Sequence, residues 1–508
     1  MTVHLAILPI LIPMLGGLLM LLPPFKGPDR YNFRRAASLV LIIAQLICAI
    51  ILMMTVMKNG AIMYAVGDWQ PPFGIILYVD LLSAMLVLLT SFLGLGVTLY
   101  SCAGEDRQGK YFHPLVHFQL LGIYGAFLTN DLFNLFVFFE VLLIASYTLL
   151  IHGGGKHRTA ANVHYVILNL IGSSLFLFAL GTIYGITGTL NIADMALRIP
   201  ELSESDQLIA QAGGSLMLIV FGLKSAMLPL HFWLPRTYAA ASAPVAALFA
   251  IMTKVGVYCI FRVYTVVYGD NAGGLADMVQ PWIWPLAILS IIIGSIGALA
   301  AANLRMLVGN LVIVSVGTLL ITFSLRTPEA TAAGFLYLIH STLITGALFL
   351  IADMISSQRG KATDYFVIAR KLKQQTLLGI MFMVAAMAVA GLPPFSGFLG
   401  KLVVLQAATT PDERIWVWSV ILLSSLVTII ALSRAGTTLF FRSTPSHDNV
   451  EDVGASKWQL SGAMLLLIAS PLLALFGASV VEYTNNAAAQ LHDIDYLLDV
   501  MKLNGGAP

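Results

Sequence analysis

The sequence predicts an all-α polytopic membrane protein, and three observations carry that reading. Of its 508 residues, 58% are hydrophobic and only 10% are charged, whereas a soluble domain carries about 25% charged residues. The mean hydropathy is +0.88, and the apolar residues gather into runs of about 20, the length that crosses a bilayer as a helix. The few charges inside those runs are costly in lipid, so each calls for a partner or a purpose.

On that ruler about 14 spans follow, at 5–24, 36–57, 78–102, 114–129, 132–152, 161–186, 209–230, 240–268, 281–302, 307–325, 331–355, 376–408, 414–436 and 459–483. The stretch 6–22 has no basic residues before it and reads as a retained first span, not a cleaved signal. The loops are too short for a soluble domain, and the tail from Glu482 onward has room for one surface helix at most. Lys and Arg fix the expected orientation. With the N-terminus outside, the inner loops hold 18 of the 27, among them Lys26, Arg34, Arg35, Arg305 and Lys457, and the outer segments hold 5. The positive-inside rule then puts both termini on the outer side.

Composition excludes several classes. A net charge of +2 with no basic arm leaves nothing for nucleic acid. No Gly-rich phosphate loop or dinucleotide turn is present, so no cofactor site and no bond-breaking chemistry is expected. Cys48, Cys102 and Cys259 lack metal-ligand spacing and read as small packing residues.

The chain is organised around 221–254, FGLKSAMLPLHFWLPRTYAAASAPVAALFAIMTK. Lys224 lies in an apolar run interrupted at Pro229, Pro235 and Pro244, and Lys254 lies in the next run. A proline frees a carbonyl, and at membrane depth opened backbone is tolerated only inside protein or along a cavity. The twelfth span repeats the device in reverse order, with Pro393 and Pro394 just before Lys401. Interrupted helices in corresponding halves point to a transporter's central region, and a repeat of five spans must be inverted. The division is therefore 1–110 for spans one to three, 111–270 and 271–440 for two inverted five-helix repeats with broken helices 7 and 12, and 441–508 for the last span and tail.

The candidate chemistry is a proton route. Glu140 lies inside the fifth span, where a carboxyl either holds helices together through a polar neighbour or pairs with a buried lysine, for which Lys224 is the expected partner. Lys224, Lys254 and Lys401 are near mid-span, and lysines deprived of water can exchange protons near neutral pH. Any one of them alone could instead be a locked ion pair. His340, beside Ser341, Thr342 and Thr345, and His231, just past the seventh-span break, are the histidines to add, although a lone intramembrane histidine is usually a packing residue. His113, His117, His152, His157 and His164 are expected at the interface, as are Asp80, Asp353, Arg262 and Arg305, and Asp131 marks an outer mouth.

The motifs LKSAMLPLHFWLPRTYAAASAPVAALFAIMTKVGVY, GLPPFSGFLGK and FFEVLL resemble the antiporter-like proton-translocating subunits of respiratory complex I and of the multisubunit Mrp cation/proton antiporters. Among these, the D-type subunits are the most similar. The resemblance, over about 70–440, implies a bacterial inner-membrane protein with broken helices 7 and 12. It implies a polar axis of Glu140, Lys224, Lys254, His340 and Lys401, which match the family's functional positions. It also implies a secondary transporter subunit moving protons against Na⁺ or K⁺, with other membrane subunits, lipid and the two ions as partners. The alternatives are a proton-pumping subunit of complex I or of a membrane-bound hydrogenase, and a non-transporting scaffold. The family's Asp-Leu-Lys-Arg at the start of helix ten is Asn303-Leu304-Arg305-Met306 here, which removes one titratable lysine.

Overall fold

A computed structural model describes residues 3–23, 30–444 and 454–503; Lys26, much of the loop 442–457 and the last residues of the tail lie outside the described residues. The helices, in order, are α1 (Leu8–Leu21), α2 (Tyr31–Asn59), α3 (Leu81–Ser101), α4 (Phe112–Leu128), α5 (Leu132–Leu150) and α6 (Lys156–Thr187). A short α7 (Ile192–Arg198) precedes α8 (Glu204–Ser225), α9 (Leu234–Ala240), α10 (Ala243–Val266), α11 (Gln280–Ala300), α12 (Leu304–Ser324) and α13 (Pro328–Gln358). Then come α14 (Gln375–Ala390), α15 (Ser396–Ala407), α16 (Pro411–Gly436), α17 (Lys457–Leu475), α18 (Gly477–His492) and α19 (Ile494–Met501). Among the described residues, twelve helices are long and apolar enough to cross a membrane; α4, α14 and α15 are apolar but shorter.

Where the spans begin is a matter of capping. The first amides of a helix have no partner within it, and lipid supplies none. Asp80 accepts from Ser83 N at 2.8 Å, Asp131 from Asn134 N at 2.7 Å and Asn303 from Met306 N at 2.8 Å. Thr410 and Ser456 cap α16 and α17 through capping boxes with Glu413 and Gln459. Asp131, expected at an outer mouth, is thus the cap of α5.

Helices α10, α12 and α13 are buried almost throughout and form the centre, whereas α1, α2, α16 and α17 are exposed over most of their surface. Hydropathy cannot separate the two groups, because lipid tails and a protein interior are equally apolar. Close packing comes from small residues. A Cβ on Gly256 of α10 would stand 2.6 Å from Ser225 N and 2.9 Å from Phe221 O, so α10 lies backbone to backbone against the end of α8.

Two features depart from the sequence reading. Between α2 and α3 the chain forms an antiparallel hairpin of β1 (Ile62–Ala65) and β2 (Ile76–Val79), with Ile62 opposite Val79. On sequence alone the apolar β2 merges into the third span, because apolar runs of four residues carry no period. The tail is not one surface helix. Helix α18 packs on α3 and α13 through Thr484, Ala487, Ala488 and Leu491, and Tyr496 of α19 accepts from Ala61 N at 2.7 Å.

Gly256→Leu places a side chain where backbone already lies, and overpacking of this kind destabilises by about 1–3 kcal/mol. The expected outcome is a lower melting temperature of the purified protein in detergent, with helical circular dichroism retained below the transition.

Candidate functional site: two broken helices and the polar groups between them

Helix α8 ends one residue after Lys224. Ala226 takes the left-handed conformation (φ 60°), its N–H donates to Leu223 O at 3.2 Å, and Met227 N donates to Gly222 O at 2.8 Å. Helix α14 ends the same way. Gly391 is left-handed (φ 84°), its N–H reaches Ala388 O at 3.2 Å, and Leu392 N donates to Met387 O at 3.0 Å. Both are Schellman ends, and each runs into a cis X–Pro bond, at Leu228–Pro229 and Pro393–Pro394. Prolines at 229, 393 and 394 therefore lie in the breaks as the sequence indicates.

Around the first break, buried Lys224 donates to Asn169 Oδ1 of α6 at 3.0 Å and lies 5.7 Å from the centre of the Phe139 ring. Trp233 Nε1 donates to the freed Leu223 carbonyl at 3.2 Å. Glu140 accepts from Ser173 Oγ, one turn beyond Asn169 on α6. The expected Lys224–Glu140 ion pair is therefore not formed among the described residues. The polar face of α6 gives each of the two groups a neutral partner instead. A cavity of about 20 Å³ touches Lys224, Asn169, Tyr165, Trp233, Met252 and Val255, room for about one water molecule. It reaches α10 on either side of Lys254.

Lys254 is fully buried and donates to Ser315 Oγ of α12 at 3.0 Å. His340 of α13 bonds through Nδ1 to Ser396 Oγ at 2.8 Å, and Ser396 bonds to Ser470 of α17 at 2.9 Å. A Cβ on Gly397 would come within 2.8 Å of His340 Nε2, so glycine is what lets α15 close on the histidine. Lys401 of α15 reaches back across the second break to Val389 O at 3.1 Å, Ala390 O at 3.0 Å and Ser425 Oγ of α16 at 2.8 Å. The carbonyls released by the break thus meet the ammonium, with the negative end of α14 behind them. His231 is half-buried in the segment between α8 and α9, its Nδ1 buried without a partner, and among the described residues no hydrogen bond joins it to these groups.

Several charges expected at the interface lie in buried clusters instead. Arg262 Nη1 and Asp80 Oδ2 pair at 2.6 Å, both buried, with Tyr258 OH accepting from Arg262 Nε at 3.2 Å. A signal for this cluster does exist in the chain: Lys254, Tyr258 and Arg262 recur at four-residue spacing on one face of α10. Arg305 pairs with Asp353 at 2.9 Å, and Tyr100 OH donates to Asp353 at 2.7 Å. His117 is buried against Ser38 Oγ at 3.1 Å. His113 is buried too, 3.2 Å from Asp106, which Arg35 also holds at 2.6 Å. Hydropathy places these residues near span ends, but neighbouring helices cover them. In the loop after α3, burial and then the Asp353 charge push the Glu105 carboxyl up to about 7. Burial acts in the same sense on Asp106 beside it, but the Arg35 and His113 hydrogen bonds outweigh it and hold that carboxyl at about 2.

The sequence matches the family described as NADH:quinone oxidoreductase/Mrp antiporter, TM, over residues 129–430, a stretch that contains all six candidate residues. The chain belongs to that family. Among curated members of the antiporter kind, it is 37% identical to the D-type subunit of the Na(+)/H(+) antiporter of Bacillus subtilis, over 96% of both chains. It is also 37% identical to the D-type subunit of a probable K(+)/H(+) antiporter of Rhizobium meliloti, over 87% of both. In fold it is similar to a chain of the Mrp complex from Dietzia sp., with TM-score 0.85 and 25% identity over 98% of this chain and 99% of that one. Respiratory complex I from Thermus thermophilus contains a chain of the same fold, with TM-score 0.80 and 24% identity over 96% and 99%.

Two outcomes follow for the charges of this antiporter-family chain. Arg262→Met leaves Asp80 buried and alone, a loss of about 3–5 kcal/mol; the double variant Asp80→Leu/Arg262→Met recovers most of it, read as melting temperature in detergent. Glu105 favours its neutral form when folded, so its contribution is full below the unfolded value of about 4.3 and is lost as pH rises through about 7. Glu105→Gln therefore reduces the fall in melting temperature between pH 5 and pH 8.

Proposed function

We propose that this chain is the proton-translocating D-type subunit of a multisubunit Na⁺ or K⁺/proton antiporter, a secondary transporter with no bond-breaking step. Its curated relatives carry that description at 37% identity over nearly their whole length. Protons pass inward along Glu140, Lys224, Lys254, His340 and Lys401, driven by the proton gradient and coupled to cation export by the assembled complex. His231 serves as a side acceptor at the first break.

The observation that carries the reading is that the relay's buried bases are met by neutral dipoles. Lys224 has Asn169, Lys254 has Ser315, and Lys401 has Ser425 with two carbonyls. An ammonium locked to a carboxylate holds its proton; one met by an amide or hydroxyl can release it. Each protonation disfavours the next, so the groups titrate as a coupled set. The cavity beside Lys224 supplies a place for a bridging water.

The paired Schellman ends support the division into 1–110, 111–270, 271–440 and 441–508, with the second and third segments as inverted repeats. Fourteen crossings follow if α4 and the α14–α15 pair each cross once. The Lys and Arg distribution supports both termini on the outer side of a bacterial cell membrane.

In the assembled complex, Lys254→Ala and Glu140→Ala are each expected to abolish cation-dependent proton flux, followed with a pH-sensitive dye in inverted vesicles, while the complex still elutes intact from size exclusion. Flux at the wild-type rate in both variants would identify the chain as a scaffold.

A further inference from the structure

The partners of the five relay groups share one property. Glu140 is met by Ser173, Lys224 by Asn169, Lys254 by Ser315, His340 by Ser396 and Lys401 by Ser425. Every one of these side chains can both donate and accept. Ser315 is the case in which both roles can be followed atom by atom. Its Oγ accepts from Lys254 Nζ at 3.0 Å, while its own hydroxyl proton points to the carbonyl of Val312, one turn earlier on α12, at 2.7 Å. Lys254 Nζ has no other hydrogen bond among the described residues, and neither residue is open to solvent.

We propose that Ser315 is a positioning residue whose hydroxyl follows the proton on Lys254, an inference that rests on the relay reading above. With Lys254 charged, the ammonium donates to Ser315 Oγ and the hydroxyl proton rests on Val312 O. When the ammonium passes one proton to the next acceptor, a lone pair appears on Nζ. Rotation about the serine Cβ–Oγ bond then swings the hydroxyl proton from Val312 O to that lone pair. No bond to hydrogen is broken in the swing and no charge moves with it. Val312 O lies inside α12 and keeps its helical donor, so the rotation leaves no buried carbonyl orphaned. Nζ is satisfied in both states and stays in one place, which a relay among fixed groups requires. A carboxylate at this position would hold the charged state alone, and an aliphatic side chain would satisfy neither.

Three variants in the assembled complex test this, by cation-dependent proton flux in inverted vesicles across a range of pH, with Lys254→Ala run beside them. Ser315→Thr keeps a rotatable hydroxyl and is expected within about threefold of wild type. Ser315→Ala loses about tenfold or more, the effect of a lost hydrogen bond to a charged group, and changes the shape of the pH profile. Ser315→Asp is expected to be as inactive as Lys254→Ala, although the complex assembles. A packing role predicts instead that aspartate and alanine scale the flux without changing its pH dependence, and that result would overturn the proposal. So would wild-type flux in Ser315→Ala while Lys254→Ala is dead, which leaves the relay standing. Wild-type flux in Lys254→Ala overturns the relay and this inference together.

Discussion

A helix that stops inside a membrane must close its own carbonyls, and the central architecture is built on how two helices do so. Helices α8 and α14 end in the same pair of Schellman hydrogen bonds, with Ala226 and Gly391 in the left-handed conformation. What those bonds leave open is met by buried side chains, Trp233 at the first break and Lys401 at the second. The ends are then held by close approach: Gly256 brings α10 onto α8, and Gly397 brings α15 onto His340. The polar axis follows from satisfying these two ends where lipid offers no partner.

The buried charges divide into two kinds. Asp80 with Arg262 and Asp353 with Arg305 are ion pairs at 2.6 and 2.9 Å, with tyrosine hydroxyls completing each cluster. Removing one member strands the other, so such groups fasten helices and do not cycle. The titratable groups between the breaks are met by serines, an asparagine and backbone carbonyls instead. Those partners leave the charge free to leave. Low dielectric makes both arrangements demanding, since an unmatched polar group in either would be costly.

Most of the membrane helices are legible in the sequence because apolar runs of span length are rare outside membranes. Glu140, Lys224, Lys254, His340 and Lys401 are legible as individuals for the complementary reason, that an ionisable residue in such a run is rare. Their partners are not. Serine and asparagine are common in membrane helices, and nothing along the chain joins Lys254 to Ser315 or Lys401 to Ser425. The sequence invites a Lys224–Glu140 pair because it shows two opposite charges within apolar spans and is silent on the polar face of α6 that engages both. Asp80 and Arg262 read as interfacial because the chain reveals depth along a helix and not lateral cover.

The sequence by itself determined the class of the molecule, the approximate spans, the two interrupted helices and the residues whose burial would be expensive, because each rests on the local cost of placing a group in lipid. Only the tertiary structure decided which helices form the core, how α18 packs on α3 and α13 while α19 meets the hairpin, and which dipole meets each charge. Those are contacts between segments far apart in the chain, and hydrogen-bond geometry, unlike hydropathy, exists only once the segments have met.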